Sequence, residues 1–164
     1  YNYFLSEEEM RETELYQASL QDKNQFLIGG YLNMKRVLEK FVVHFHDIYG
    51  SRSRTFLEEE GRQYFLLYLK PIINGTGNYY IEARTRDLGR TDVVVDYRGE
   101  QYIIELKLWR GEEYNRRGEQ QLLGYLDSYN VNVGYLLSFN FNQNKTVGIH
   151  EIQIGDKTII EAVV

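Results

Sequence analysis

The candidate catalytic residues lie in two β-rich runs near the middle of the chain. The first run carries Asp92 near its start, and the second ends with Glu105, Leu106 and Lys107. Because alternate side chains of a strand share a face, Glu105 and Lys107 are expected to point the same way. A hairpin between the two runs would place Asp92 beside Glu105. Two carboxylates and one ammonium are therefore predicted to converge at the edge of a sheet.

This set of groups is the one that phosphodiester hydrolysis needs. Carboxylate oxygens hold a hard cation such as Mg²⁺, and the cation polarises a phosphoryl oxygen and lowers the pKa of a bound water. A neighbouring lysine can orient the attacking water and offset charge that develops in the transition state. The pattern predicts Asp92 and Glu105 as metal ligands and Lys107 as the residue that assists the water.

A structural interpretation competes with this chemistry. Alternation of acid, hydrophobe and lysine is common on strands with one wet face, where a cross-strand salt bridge needs no function. Glu105 and Lys107, however, follow apolar residues, which favours a buried strand. A helix that carries Gln121 and Tyr125 comes next, and we weigh a structural amide and a core tyrosine equally against a role beside the metal. Asp96 shares the strand face of Asp92 but lies nearer the turn, so we interpret it as structural.

The apolar spacing predicts the elements that position these residues. Helical spacing covers much of the first fifty residues, then Thr55 to about Pro71, and later Arg116 to Tyr129. Strand-like runs separate and follow the later helices: 80–85, 91–97, 102–108, 133–139, 147–154 and 158–163. This order predicts an α/β layered domain behind an N-terminal helical lead-in.

The lead-in is expected to be separable. Its helices are largely polar and the sequence begins with Tyr1 rather than methionine, so we predict that residues 1–50 connect residues 51–164 to an upstream domain. Deletion up to about Asp47 should then leave a folded domain. The alternative is that three apolar residues of the second helix pack on the core: Phe41, Val42 and Phe45.

Composition excludes several classes of protein for this chain. Of 164 residues, 43% are hydrophobic and 26% charged, which is typical of a globular rather than a disordered chain. The absence of cysteine excludes disulfides and thiolate metal sites and fits a reducing cytoplasm. No signal peptide and no run long enough to cross a membrane is visible. The net charge of −5 counts against a protein that coats nucleic acid non-specifically, but less against a nuclease with a local metal.

The ordered motifs resemble those of the PD-(D/E)XK nuclease superfamily over about residues 55–155. Asp92 matches its acidic position at a strand start, and Glu105-Leu106-Lys107 matches its Glu/Asp-x-Lys element. Gln121 and Tyr125 match a glutamine-x-x-x-tyrosine element on the next helix. Thr91 stands where the family name has proline. The chain is especially similar to the branch found as a C-terminal nuclease domain behind an AAA-type ATPase domain in bacterial proteins.

The resemblance implies a restriction-endonuclease-like core, a mixed central sheet flanked by helices. It also implies Mg²⁺ as the cofactor, with Mn²⁺ as a substitute, and the backbone carbonyl of Leu106 as a further ligand. An additional acid is expected on the upstream helix, where Glu60 is our choice and its neighbours Glu58 and Glu59 stay open.

The resemblance implies two partners: nucleic acid, with DNA preferred to RNA, and an upstream ATPase domain. No membrane partner is expected, and the oligomeric state stays open. Arg90 and Tyr125 are the expected substrate-binding residues, although acids interleave with most arginines of this region, which favours a solvated mixed surface. The competing function is a non-catalytic module that uses the nuclease-like fold to bind a partner or to regulate an attached ATPase.

Overall fold

The computed structural model describes residues 7–22, 26–49, 58–83, 91–142 and 144–164. Four helices lie within these ranges: α1 (Glu7–Asp22), α2 (Met34–Tyr49), α3 (Glu58–Ile73) and α4 (Glu112–Ser128). Eight strands accompany them: β1 (Leu27–Ile28), β2 (Tyr31–Leu32), β3 (Gly77–Ala83), β4 (Thr91–Tyr97), β5 (Glu100–Leu108), β6 (Val133–Phe139), β7 (Gly148–Ile154) and β8 (Lys157–Val163). Three residues of interest are described by their backbone alone: Glu58, Glu59 and Asp92.

Most predicted elements are present, with shifted ends. Helix α4 begins four residues earlier than predicted, since Glu112 and Glu113 form a first turn whose negative charge favours a helix N-terminus. Helix α3 runs past Pro71 to Ile73, because a proline in the last turn removes only its own N–H donor and leaves the preceding turns intact. The short β1–β2 hairpin was not predicted, because two-residue strands are too short to show alternation.

Strands β3 to β8 form one mixed sheet in the order β3-β4-β5-β6-β8-β7. Strand β6 runs parallel to both of its neighbours, β5 and β8, whereas the remaining pairs are antiparallel. Helices α2 and α3 pack on one face with α1 against α3, and α4 covers the other face. This is the restriction-endonuclease-like α/β fold with an N-terminal helical region, as predicted.

The larger core lies between the sheet and the N-terminal helices, and it is aromatic. Phe41 of α2 lies edge-on to Phe65 of α3 at 5.4 Å between ring centroids and to Phe139 of β6 at 6.4 Å. Val42 and Phe45 are buried in the same core. The division at residue 50 stays a prediction, but this packing is the alternative named for it: the second helix contributes directly to the core of the sheet.

The smaller core lies under the C-terminal half of α4 and is aliphatic. Its buried members are Ile103, Leu122, Leu126, Leu136 and Ile159. Gly134 of β6 allows close packing, because a Cβ there would lie 3.0 Å from atoms of two leucines of α4. The N-terminal half of α4 consequently lies over the end of β5. No helix in the described part of the chain is long and apolar enough to span a bilayer.

Candidate active site

The β4–β5 hairpin sets the register of the predicted site. Arg98 and Gly99 link the strands with φ values of 50° and 83°, the left-handed pair that a tight two-residue hairpin requires. The resulting register pairs Asp92 directly with Glu105. Directly opposed residues have Cβ atoms about 4.5–5.5 Å apart. The hairpin therefore brings together the two carboxylate-bearing positions that the sequence singled out.

Glu105 and Lys107 are inside the protein rather than on a wet face. Glu105 is 1% exposed and Lys107 0%, and both carboxylate oxygens of Glu105 are buried. Leu106, between them, points into the aromatic core on the other face. Burying charges is costly unless opposite charges and hydrogen bonds compensate. A solvated surface salt bridge, the structural interpretation, does not describe this pair.

Helix α4 covers both groups at Gly118. A Cβ at this position would lie 3.2 Å from Nζ of Lys107 and 3.8 Å from Oε2 of Glu105. One turn earlier, Asn115 accepts hydrogen bonds from the Lys107 ammonium, through its side-chain Oδ1 and through its backbone carbonyl at 3.3 Å. The ammonium is thus held between β5 and the first turns of α4.

A second carboxylate group borders the lysine. Nδ2 of Asn115 donates to Oε1 of Glu119 at 3.1 Å. Burial and the nearby carboxylate of Glu161 raise the pKa of Glu119, while Lys107 and Arg116 act in the opposite direction. Glu161 is itself buried, on β8. Glu105, Lys107, Asn115 and Glu119 are called the lysine cluster below.

The donor set fits a hard divalent cation. Carboxylate oxygens are the ligands that Mg²⁺ and Mn²⁺ prefer, and the β4–β5 register pairs two carboxylate-bearing residues, Asp92 and Glu105. Among the side chains that the structure describes, which exclude that of Asp92, no three acids or histidines group around a single position. A site here would therefore need the Asp92 carboxylate as well as Glu105.

Residues 78–152 match the family model of the PD-(D/E)XK nuclease superfamily. The matched segment extends from β3 into β7 and contains Asp92, Glu105 and Lys107. No curated protein and no solved structure matches the chain. The superfamily match and the β4–β5 register thus concern the same part of the molecule, and the match favours a nuclease.

Glu60 lies at the start of α3, across the sheet from Lys107. It is half-buried, and the adjacent Gly61 lies against the ring of Phe139, where a Cβ would come within 2.4 Å. Phe139 pairs with Leu108, so the first turn of α3 reaches the end of β5 that carries Lys107. Glu60 therefore lies near the end of β5 that carries Lys107 but on the other face of the sheet, and its role in the site stays a prediction.

Gln121 and Tyr125 lie on α4, one turn apart and half-buried. The Tyr125 ring lies 6.3 Å from that of Tyr129 and packs against the smaller core, as a core tyrosine would. Their roles beside the metal and the substrate remain predictions. Arg90, the other expected substrate residue, lies outside the described residues.

The arginines of α4 belong to a mixed surface. Arg117 pairs with Glu113 at 3.1 Å and Arg116 approaches Glu112 at 3.8 Å, each one helical turn away. All four side chains are largely exposed, so the ion pairs contribute little stability. These contacts agree with the solvated mixed surface that the sequence favoured for them.

Sequence reasoning missed Asn115, Gly118, Glu119 and Glu161. Positions 115, 118, 119 and 122 recur at helical spacing on the side of α4 that meets the sheet, and this spacing was a usable signal. Glu161 interrupts an apolar run of the last strand, which is a second signal. Neither indicated that these residues come together, because β5, α4 and β8 meet only in the folded chain.

Proposed function

We propose that this chain is a metal-dependent nuclease of the PD-(D/E)XK type that hydrolyses phosphodiester bonds in DNA, with RNA as the alternative substrate. The observation that carries the proposal is the register that pairs Asp92 with Glu105, together with the buried Lys107 on the same strand face as Glu105. The family-model match over the same segment supports it. The combination of an acid pair and a buried ammonium is what separates this interpretation from an ordinary salt bridge.

Each residue has a distinct role in this proposal. Asp92 and Glu105, with the backbone carbonyl of Leu106, would hold Mg²⁺ or Mn²⁺. The cation, when bound, supplies Lewis-acid polarisation of the phosphate and a bound water of lowered pKa. Lys107 places a fixed positive charge beside the carboxylates, where it orients the attacking water and stabilises charge in the transition state. Burial strengthens this effect because little water screens the ammonium.

The remaining predicted residues extend the site outward. Glu60 is proposed as a further acid from α3, and Gln121 as a polar group of α4 near the metal. Arg90 and Tyr125 are proposed to contact the nucleic acid. An upstream ATPase domain and a cytoplasmic location belong to the same proposal, which rests on the resemblance to the ATPase-associated branch.

The test separates metal ligands from the lysine. Lys107→Met keeps the length of the side chain and removes its charge, so cleavage should fall by roughly 100-fold or more while metal binding persists. Asp92→Asn and Glu105→Gln should instead lower the affinity for the metal by about tenfold or more, because they alter residues that bind it directly. Asp96→Asn is the matched control, since Asp96 lies on the same strand face but accepts a hydrogen bond from Tyr80.

Calorimetric titration with Mg²⁺ and Mn²⁺ measures binding, and cleavage of single- and double-stranded DNA and RNA measures activity. The proposal requires that Asp96→Asn behave like the unmodified chain in both assays. If the unmodified chain binds no divalent cation and cuts no substrate at any metal concentration, the enzyme proposal fails. A nuclease-like module that binds a partner or regulates an ATPase then takes its place.

A further inference from the structure

The lysine cluster contains an amide that joins two charges of opposite sign. Oδ1 and the backbone carbonyl of Asn115 accept from the Lys107 ammonium, and Nδ2 of the same side chain donates to Glu119 at 3.1 Å. An ammonium can only donate hydrogen bonds and a carboxylate can only accept them. Asn115 therefore has one amide orientation that satisfies both neighbours, with its oxygen toward Lys107.

Helix geometry adds a second, independent observation. Asn115 and Glu119 are one turn apart on α4, and Gly118 brings the helix backbone so close that a Cβ would lie 3.2 Å from Nζ of Lys107. A larger residue at position 118 would separate α4 from the ammonium. The close approach of the helix backbone and the hydrogen bonds from Lys107 to Asn115 therefore involve the same atom, Nζ of Lys107.

We propose that Asn115 and Glu119 are positioning residues, which together fix the Lys107 ammonium against α4 in the orientation that the site uses. Glu119 acts on Asn115 by accepting from its Nδ2, and Asn115 acts on Lys107 by presenting its oxygen. Without the carboxylate, the amide of Asn115 can rotate and turn its own donor toward the ammonium, which repels it. This inference rests on the proposed role of Lys107, but the placement of the ammonium is measurable without catalysis.

The direct readout is the ¹⁵Nζ–¹H signal of Lys107 in the whole chain, assigned by its loss in Lys107→Met. A buried, hydrogen-bonded ammonium gives such a signal because its protons exchange slowly with water. Asn115→Leu and Glu119→Leu should abolish the signal or broaden it strongly. Glu119→Gln should retain it, because a glutamine oxygen can still accept from Asn115. Glu113→Gln is the matched control, since Glu113 is an exposed acid of the same helix.

The cleavage assay provides the second readout. The two leucine variants should lower kcat by roughly tenfold with little change in KM, since loss of a group that orients an active-site residue typically costs about 10–100-fold. Glu119→Gln should restore most of the rate. Where Asn115→Leu does not fold, Asn115→Gln displaces the amide by one methylene and should weaken the signal similarly.

Two outcomes overturn the proposal. One is a sharp, unshifted Lys107 signal in folded Asn115→Leu and Glu119→Leu variants. The other is equal loss of the signal in Glu119→Gln and Glu119→Leu, which would show that charge rather than orientation matters. If the unmodified chain has no nuclease activity but the signals change as expected, the positioning of Lys107 stands and only the proposed function fails.

Discussion

The two faces of the central sheet bury different kinds of side chain. The face under α2 and α3 buries a continuous aromatic core that includes Phe41, Phe65 and Phe139. The face under α4 divides along the helix: its C-terminal half covers a small aliphatic cluster, and its N-terminal half covers Glu105 and Lys107. One face is uniformly apolar, whereas the other holds buried charge.

The difference shows where stability and chemistry come from. Apolar burial contributes about 25 cal/mol per Å², so the extended aromatic core contributes more to stability than the small aliphatic cluster under α4. Buried charges seldom add net stability and need compensating partners. Ser138, the parallel neighbour of Lys107, adds a further polar group to this face, because its hydroxyl is buried with no hydrogen-bond partner among the described residues. The α4 face therefore depends on the other face to hold its polar end in place.

Removal of residues 1–47 should have the largest effect on the aromatic face. The deletion removes α1 and most of α2, including Phe41, and exposes the aromatic face of the sheet. We expect the remaining chain to lose cooperative thermal unfolding, measured by circular dichroism. A cooperative transition in the truncated chain would instead support a division near residue 50.

A point substitution isolates the aromatic contribution. Phe41→Ala should lower the free energy of unfolding by about 3–5 kcal/mol, the usual cost of emptying a buried phenylalanine site. Val43→Ala is the control on the same helix, since Val43 is 53% exposed and should change stability by less than about 0.5 kcal/mol. Similar effects for both substitutions would show that α2 is not a core element.

Two glycines of α4 distinguish the N-terminal half of this helix from its C-terminal half. Gly124 is exposed with no atom near its potential Cβ, so Gly124→Ala should raise stability by about 1 kcal/mol through helix propensity and leave cleavage unchanged. Gly118→Ala should lose that gain and lower cleavage by about tenfold, because its Cβ would lie 3.2 Å from Nζ of Lys107. Denaturant unfolding and kcat measure the two effects. Identical behaviour of the two variants would contradict the close packing at Gly118.

The smallest expected effect is a pH dependence centred on Glu119. Its pKa is raised above the ordinary value of 4.5, chiefly by burial and then by Glu161, so the folded protein binds this proton more tightly than the unfolded chain does. The associated stability is present below pH 4.5 and is lost as the pH rises through the higher value in the folded protein. Glu119→Gln should match the unmodified chain at low pH and equal or exceed its stability at pH 7. A stability difference that does not change with pH would exclude this linkage.

The sequence by itself determined the local features. Two β-rich runs, β4 and β5, and the turn-like Arg98-Gly99 between them predict a hairpin, and the hairpin register follows from residues close together in the chain. The acid pair and Lys107 could therefore be singled out without a structure. The helical period of α4 likewise predicted that element, although its first turn was missed because charged residues show no apolar spacing.

Only the tertiary structure decided what surrounds Lys107. Asn115 and Glu119 reach it from α4, and Glu161 borders the cluster from β8, the last strand in the sequence. The contribution of α2 to the aromatic core could be named from the sequence only as an alternative, since Phe41 meets Phe139 from a distant part of the chain. Such contacts depend on how elements pack, and periodicity within one element carries no information about its partner on the far side of a sheet.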